Sequence, residues 1–223
     1  MIEWLRKRRA VVPSPSGRGR NPGERVNDKQ DSDHFRRAIE RFDAINAEDP
    51  NVETVDGVAQ PKELLYSQRM TQWLDRLVPD ASEPLRLAAR CQHIRRWHIP
   101  RMTYPLERQG YHRWRTELGK YHAETAGEVL REVGYDPETI SRVQSLLRKE
   151  RLKADPETQS LEDVICLVFL EYYFEPFSEQ QEEQKLIGIL RRTWAKMSPR
   201  GQAAALALSL RPEKRQLIEK ALG

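Results

Sequence analysis

Apolar residues spaced three and four positions apart constrain the fold of this chain more than any other sequence feature. From Ser32 onwards, one segment after another shows this spacing, with proline, glycine or a capping side chain between segments. In the first segment, one face carries Phe35, Ala38, Ile39, Phe42 and Ile45. This periodicity is typical of amphipathic α-helices that bury one side. No alternating strand pattern with turn residues is recognised, so we expect an all-α fold.

Start and stop signals divide the chain into successive predicted helices. Proline, serine and aspartate mark the expected starts, and glycine or proline marks the ends. The predicted starts are Ser32, Pro61, Glu83, Gly110, Asp136, Ser160, Glu182, Ser198 and Pro212. We expect the third helix to reach Trp97, the fourth to end at Val133 with Gly134 as its cap, and residues 46–60 to form a polar loop. No internal repeat is visible, which favours a single multi-helix domain.

The first 32 residues differ in composition from the rest of the chain. They include PSPSGRGRNPGER and have almost no apolar side chains, so burial cannot offset the entropy lost on folding. Residues 1–29 hold eight Lys/Arg and three acids, a net of +5, whereas the full chain has a net charge of +4. The basic pI therefore belongs to this segment. We expect a disordered basic extension over residues 1–32 and one domain over residues 33–223.

Hydropathy and cysteine content exclude two classes of protein. The mean hydropathy is -0.78, and no run of about 18 apolar residues exists that could span a membrane. Two cysteines, Cys91 and Cys166, are too few for a disulfide framework, and both fall in apolar helical patterns. We therefore expect buried thiols in a reducing compartment, the cytoplasm, and no membrane partner.

The segment Leu85–Arg101 changes within a few residues from an apolar helix face to a cluster of cations and imidazoles. Its sequence is LRLAARCQHIRRWHIPR. Arginine forks bind phosphate and carboxylate groups, and aromatic rings beside them can stack on a ligand. The predicted anion-binding residues are Arg95, Arg96, Trp97, His98 and Arg101. We expect a small anionic or phosphorylated ligand at this helix end.

His93 is the candidate general base within that segment. It has an apolar helix on one side and cations on the other, and both surroundings would lower its pKa and keep the imidazole neutral. Cys91 cannot face it, because residues two apart on a helix point about 200° away from each other. No nucleophile motif and no glycine-rich phosphate loop is present, so nucleophilic catalysis is not favoured.

Charge is segregated within the expected domain. Residues 86–120 hold nine Lys/Arg and two acids, whereas residues 155–184 hold nine acids and no Lys/Arg. Either the two blocks pair with each other, with Arg108, Arg113 and Arg115 meeting the acidic helices, or each contacts a different partner. In the second case, the arginines interleaved with aromatic residues predict an RNA-associated binding module.

The order of the predicted helices resembles HD-type helical domains over about residues 60–175. YSQRM (66–70), AARCQHI (88–94) and DVICL (163–167) stand at the three motifs. The resemblance implies a phosphohydrolase-like site. Tyr66, Ile94 and Ile165 occupy positions where those proteins carry metal ligands, and isoleucine cannot bind a metal. We therefore expect a metal-poor site, with neither metal nor another cofactor.

A rearranged metal site is the alternative. His93, His122, Glu162, Asp163 and Glu171 could converge in the core of a helical bundle. Against this, Ser160 to Asp163 matches a capping box, in which Asp163 would only cap a helix. A buried, hydrogen-bonded core histidine is likewise the default interpretation of His122. The supporting site candidates are Tyr66, Arg69, His122, Lys149, Glu162 and Asp163.

Five longer blocks resemble the DUF4202 family. They are HFRRAIERFDAINAEDPN (34–51), PKELLYSQRMTQWL (61–74), LAARCQHIRRWHIPR (87–101), KYHAETAGEVLREVGY (120–135) and LEDVICLVFLEYYF (161–174). The resemblance implies a small α-helical protein without an assigned activity, and it places residues 1–32 outside the domain. The sequence thus predicts a helical domain that binds a phosphorylated or other anionic small molecule. The alternatives are an RNA-associated module and a metal-dependent HD-type phosphohydrolase.

Overall fold

The computed structural model describes the backbone of residues 22–222 and the side chains of residues 33–222. The chain divides between Asp33 and His34. Of the predicted extension, residues 1–21 lie outside the described residues, and residues 22–32 are described only as helical backbone. The first helix begins at Pro22, which corrects the predicted start at Ser32. Proline is well suited to a first helical position, and no glycine or proline interrupts residues 24–32.

Ten α-helices make up most of the described chain, which confirms the all-α prediction. They are α1 (Pro22–Asn46), α2 (Lys62–Leu77), α3 (Glu83–Cys91), α4 (Arg108–Val133), α5 (Pro137–Leu147), α6 (Pro156–Val168), α7 (Phe174–Ser178), α8 (Glu183–Lys196), α9 (Pro199–Leu206) and α10 (Pro212–Leu222). A π-helical segment, Phe169–Tyr173, joins α6 to α7. None of the described helices is long and apolar enough to cross a membrane.

A small antiparallel hairpin replaces part of the predicted polar loop. Strand β1 (Val52–Val55) pairs with β2 (Val58–Pro61), and Val55 lies opposite Val58. Asp56 and Gly57 form the two-residue turn with φ of 50° and 79°. Both angles are positive, as in the type I′ turns that Asp-Gly favours. The expectation that the chain contains no strand is therefore wrong.

The hydrophobic core lies between α2, α3, α4, α5 and α6. Helix α2 packs against α3 and α6, and α5 packs against α3 and α4. The largest fully buried side chains are Phe42, Met70, Leu74, Leu85, Leu87, Ile94, Leu118, Leu130, Leu146, Leu161, Leu167 and Phe174. The predicted apolar face of α1 is confirmed, since Ala38 and Phe42 are fully buried. Cys91 and Cys166 are buried free thiols, also as predicted.

Helix α3 ends at Cys91, six residues before the predicted Trp97. Arg95 adopts a left-handed conformation with φ of 52°, and a short 3-10 turn, Arg96–His98, follows. Tertiary hydrogen bonds replace the helical ones here. The side-chain oxygen of Asn46 accepts from the Arg95 amide at 3.2 Å, and His122 Nδ1 donates to the Ile94 carbonyl at 2.7 Å.

Other predicted helix ends divide into confirmed and corrected ones. Gly134 is the left-handed cap of α4, and the Asp136 side chain caps α5. The predicted capping box at Ser160 is wrong. Helix α6 begins at Pro156, capped by the Asp155 side chain, and Ser160 lies inside the helix.

Candidate functional site

His93 follows α3 and is held through both ring nitrogens. Its Nδ1 lies 3.1 Å from Glu63 Oε2, and its Nε2 lies 3.1 Å from Arg96 Nη1. A guanidinium only donates, so Nε2 accepts and Nδ1 carries the proton that it donates to Glu63. The Tyr66 ring stacks on the imidazole with centroids 4.0 Å apart. His93 is therefore fixed in one tautomer.

The surroundings of His93 keep its imidazole neutral. Burial lowers the pKa of His93 well below its usual value, and the charge of Arg96 lowers it further. This agrees with the prediction that burial and nearby cations lower the pKa of His93. The lone pair of Nε2 is nevertheless occupied by Arg96, so His93 can accept a proton only after Arg96 has moved away.

Glu63 lies in the first turn of α2, where the hairpin fixes its position. Asp49, just before the hairpin, accepts from the Glu63 amide at 3.0 Å. Burial raises the pKa of the Glu63 carboxyl to about 7, although the nearby Arg96 opposes this shift. Arg96 Nε lies 3.6 Å from Glu63 Oε1. At neutral pH, Glu63 therefore carries only part of a negative charge.

His122 of α4 is buried as predicted, but only one of its nitrogens is satisfied. Its Nδ1 donates to the Ile94 carbonyl, which fixes Nε2 as an acceptor. Nε2 is buried and has no hydrogen-bond partner among the described residues. Burial lowers the pKa of His122 to about 3, despite the favourable bond to Ile94. The ring centroid lies 5.9 Å from that of His93.

Two further cations face the histidine pair. Arg115 lies seven residues before His122, on the same face of α4, and its charge lowers the pKa of both His93 and His122. Among the described residues, Arg115 has no hydrogen bond or ion pair. Lys149 follows α5 in a left-handed conformation with φ of 55°, and its charge also lowers the pKa of His93.

Lys149 bonds to the buried carboxylate of Glu162, and Lys196 approaches the other Glu162 oxygen at 3.6 Å. Burial alone would raise the pKa of Glu162, but Lys149, Lys196 and Arg115 bring it below its usual value. Glu162 is therefore ionised. The complete arrangement, called here the polar cluster, consists of Glu63, Tyr66, His93, Arg96, Arg115, His122, Lys149 and Glu162.

The predicted anion-binding residues have different contacts in the structure. Arg96 points to His93 and lies 4.8 Å from the centre of the buried Trp114 ring, whereas Arg95 approaches Glu48 at 3.8 Å. Arg101 donates to the Tyr104 and Pro105 carbonyls, and its guanidinium lies 5.9 Å from the centre of the same Trp114 ring. His98 stacks on Tyr121, and Trp97 is half-buried in the 3-10 turn. Only Arg96 of this set reaches His93.

Two supporting candidates have structural roles elsewhere. Arg69 donates to Glu53 Oε1 at 2.7 Å and to the Tyr173 hydroxyl at 2.9 Å, which ties the hairpin to the π-helical segment. Asp163 accepts from the Ser198 amide at 2.7 Å and from the Ser198 hydroxyl, at the start of α9. Neither side chain contacts His93.

The proposed alternative metal ligands are also separated. Glu162 pairs with lysines, Asp163 contacts Ser198, and Glu171 accepts from the Trp73 indole at 2.6 Å. Within the described part of the chain, no three His, Cys, Asp or Glu side chains come together as a ligand set.

The basic and acidic blocks do not pair with each other. Arginines of the basic block pair with Asp43, Glu48, Glu63 and Asp75. Acids of the second block pair with Arg142, Lys149, Lys196, Arg211 and Lys220. Within residues 33–222, no ion pair joins the blocks, so the expected pairing of Arg108 and Arg113 with these acids is wrong. Arg115 forms no ion pair either, but its charge lowers the pKa of Glu162, a member of the acidic block.

Sequence reasoning missed Glu63 and Arg115. Glu63 shares the buried face of α2 with Tyr66 and Met70, so a carboxylate on an apolar stripe was the available signal. Arg115 shares the face of Leu118 and His122 in the same way.

The fold and the site define a class: an all-α domain with a buried polar cluster, rich in cations, where α2, the end of α3, α4 and the α5–α6 connection meet. The chain belongs to the DUF4202 family, a domain of unknown function, whose family model matches residues 36–218. The family resemblance seen in the sequence is thereby confirmed. No curated protein and no solved structure shows a significant match to the chain.

Proposed function

We propose that this protein binds a small phosphorylated or other anionic molecule at the polar cluster. Arg96, Arg115 and Lys149 would hold the anion. The observation that carries the proposal is Arg115, a half-buried guanidinium that forms no hydrogen bond or ion pair with the described side chains, although its charge lowers the pKa of Glu162. Buried charges are normally paired, so an unpaired one indicates a missing partner.

The charge balance of the polar cluster supports the same conclusion. Arg96, Arg115 and Lys149 are opposed by Glu162 and by Glu63, whose pKa of about 7 leaves it partly protonated at neutral pH. An excess of between about one and two positive charges remains, and desolvation makes such an excess costly. Burial lowers the pKa of Lys149 and of Arg96, a sign of that cost. A bound anion would neutralise this excess positive charge and so reduce the cost of burying it.

The backbone at Lys149 adds a second line of support. A non-glycine residue with positive φ costs on the order of 1–3 kcal/mol, and such residues cluster at ligand sites. At Lys149 this conformation accompanies a side chain that reaches into the polar cluster and bonds to Glu162.

An HD-like origin, a cytoplasmic location and a role for His93 as base also form part of the proposal. An HD-like origin is supported by the stacking of Tyr66 on His93, which brings residues of the first and second motifs together. A cytoplasmic location is supported by the two buried free thiols, which suit a reducing compartment. If a reaction follows binding, His93 is the base, once the anion has drawn Arg96 away from Nε2.

The test is calorimetric titration of the full chain with inorganic phosphate, a nucleoside monophosphate and a sugar phosphate. Arg115→Gln should weaken binding about tenfold or more, because hydrogen bonds to charged groups are worth about 1.5–3 kcal/mol. Arg113→Gln is the matched control, since Arg113 is exposed on the same helix. Failure of all three ligands to bind, or equal loss in the two variants, would refute the proposal.

The same titrations separate the alternatives. A small anion makes few phosphate contacts, so its affinity should fall only modestly with salt. Steeply salt-dependent RNA binding, with every small anion ignored, would replace the proposal with the RNA-associated module. Stoichiometric metal in the purified protein, together with an activity that chelator abolishes, would instead indicate the phosphohydrolase.

A further inference from the structure

The polar cluster contains a buried acceptor that none of the described residues satisfies. His122 Nδ1 donates to the Ile94 carbonyl, a group that can only accept, so the proton must lie on Nδ1 and the lone pair on Nε2. Nε2 is buried and has no partner within residues 33–222, and His122 is 3% exposed. The nearest site residues are the stacked His93 ring and the cations around it.

We infer that the anion held by this cluster carries its own hydrogen-bond donor, as protonated phosphate does, and that His122 Nε2 accepts from that donor. The inference rests on the proposed anion binding and deepens it. It assigns the ligand class as phosphate with a P–OH group, in preference to fully deprotonated oxyanions of the same size and shape.

The mixture of donors and acceptors in the cluster supports this assignment. Arg96, Arg115 and Lys149 supply donors for the unprotonated oxygens of an anion. His122 Nε2 and the Glu63 carboxyl group supply acceptors. Inorganic phosphate keeps at least one hydroxyl at neutral pH, whereas sulfate has only acceptor oxygens. Sulfate would leave the His122 lone pair unmatched, and a buried unmatched group is costly.

Because His122 Nε2 is buried, a ligand can reach it only if surrounding side chains move. Arg96 is the group at hand, because it is 23% exposed and donates to His93 Nε2, a neutral acceptor. An anion is a stronger acceptor for a guanidinium than a neutral imidazole is. Exchange of His93 for the anion would move the Arg96 side chain and bring the ligand toward the histidine pair.

The experiment compares inorganic phosphate with sulfate on the full chain, as sodium salts at pH 7 and equal ionic strength, by calorimetry. Phosphate should bind about tenfold more tightly or better, because a site built to accept a hydrogen bond rejects an analogue that lacks the donor. Arsenate against selenate, a second pair that differs in the same proton, should give the same order.

His122→Asn should abolish the preference. The asparagine amide can still donate to the Ile94 carbonyl but presents no acceptor at the position of Nε2, so phosphate should weaken to the level of sulfate. His112→Asn, an exposed change on the same helix, should retain the preference.

The outcomes separate this inference from the proposed function. If wild type binds phosphate and sulfate equally and Arg115→Gln weakens both, the anion site stands and the role of His122 is wrong. If wild type binds none of the four oxyanions, this inference is wrong, and the proposed function is wrong as well if the nucleoside monophosphate and the sugar phosphate also fail to bind. Should His122→Asn fail to fold, the two wild-type comparisons still decide the inference.

Discussion

Burial raises the pKa of Glu63 and the charge of Arg96 lowers it, so Glu63 makes the stability of the protein depend on pH. Its side chain is 9% exposed, and its pKa is raised from 4.5 to about 7 in the folded protein. For a raised folded pKa, the stability from the protonated form is complete below about pH 4.5 and is lost as pH rises through about 7. The shift corresponds to about 3 kcal/mol.

Glu63→Gln should therefore gain stability relative to wild type as pH rises. We expect the difference in the free energy of unfolding to move by about 3 kcal/mol in favour of the variant between pH 4.5 and 8. Urea denaturation at a series of pH values measures it, and Glu132→Gln serves as the exposed control. A difference that does not change with pH would contradict the raised pKa.

His122 should show the opposite sign. Its pKa is lowered from 6.5 to about 3, so its stabilising contribution is present above about pH 6.5 and is lost as pH falls toward 3. His122→Asn should reduce the loss of stability between pH 7 and 4 by several kcal/mol, and His93 should account for part of the slope that remains. Thermal melts of wild type, His122→Asn and His112→Asn over this range provide the measurement. If the stability of wild type and of His122→Asn changed with pH in the same way, the lowered pKa of His122 would be contradicted.

These residues also show what the sequence could predict of the site. His93 and Arg96 are close in sequence and their contact is local. Lys149 and Glu162 were named as candidates, but their mutual bond was not predicted. Arg115 was missed because its surroundings come from four other elements. Only the packing of the helices decides that its charge acts on two histidines and on Glu162.

At the scale of elements, the Asp-Pro dipeptide marks two helix starts, of which the sequence analysis predicted only one. Asp-Pro correctly predicted the start of α5 at residues 136–137, and an identical dipeptide at residues 155–156 starts α6. The capping-box pattern at Ser160 predicts a later start for α6, but the Ser160 hydroxyl donates to the Pro156 carbonyl inside the helix. The hairpin was missed because its strands have only four residues each and are half-exposed, so no apolar alternation marks them.

The junction between α6 and α9 depends on a close approach at Gly201. Asp163 accepts from Ser198 at the α9 N-terminus, and a Cβ on Gly201 would lie 2.6 Å from Asp163 Cγ. Gly201→Ala should therefore destabilise the protein by about 1–3 kcal/mol, as overpacking does.

Gly188→Ala provides the matched comparison for that substitution. Its Cβ would meet only the mobile end of Arg192 at 3.4 Å, within α8. Alanine should be neutral or stabilising there by up to about 1 kcal/mol, because it is the better helix former. The denaturant midpoints of Gly201→Ala and Gly188→Ala measure the two changes in stability. Equal changes would show that the contact with Asp163 is unimportant.

At the scale of the whole molecule, the core and the polar cluster occupy the same set of helices. Helices α2, α4 and α6 contribute both buried apolar faces and cluster residues, among them Glu63, His122 and Glu162. The cluster therefore cannot form until those helices have packed. The overall helical architecture was predictable from periodicity alone, but this convergence depended on crossings between segments that are distant in the sequence.

The spread of the cluster from Glu63 to Glu162 makes ligand occupancy and global unfolding a single linked equilibrium. No contiguous peptide shorter than that span contains all its members, so a proteolytic cut between α3 and α5 would divide the cluster residues between two fragments. A ligand at a hundred times its dissociation constant adds about 2.7 kcal/mol to the free energy of unfolding. If the proposed anion binds, the lifetime of this protein in the presence of proteases would thus rise and fall with the concentration of that anion.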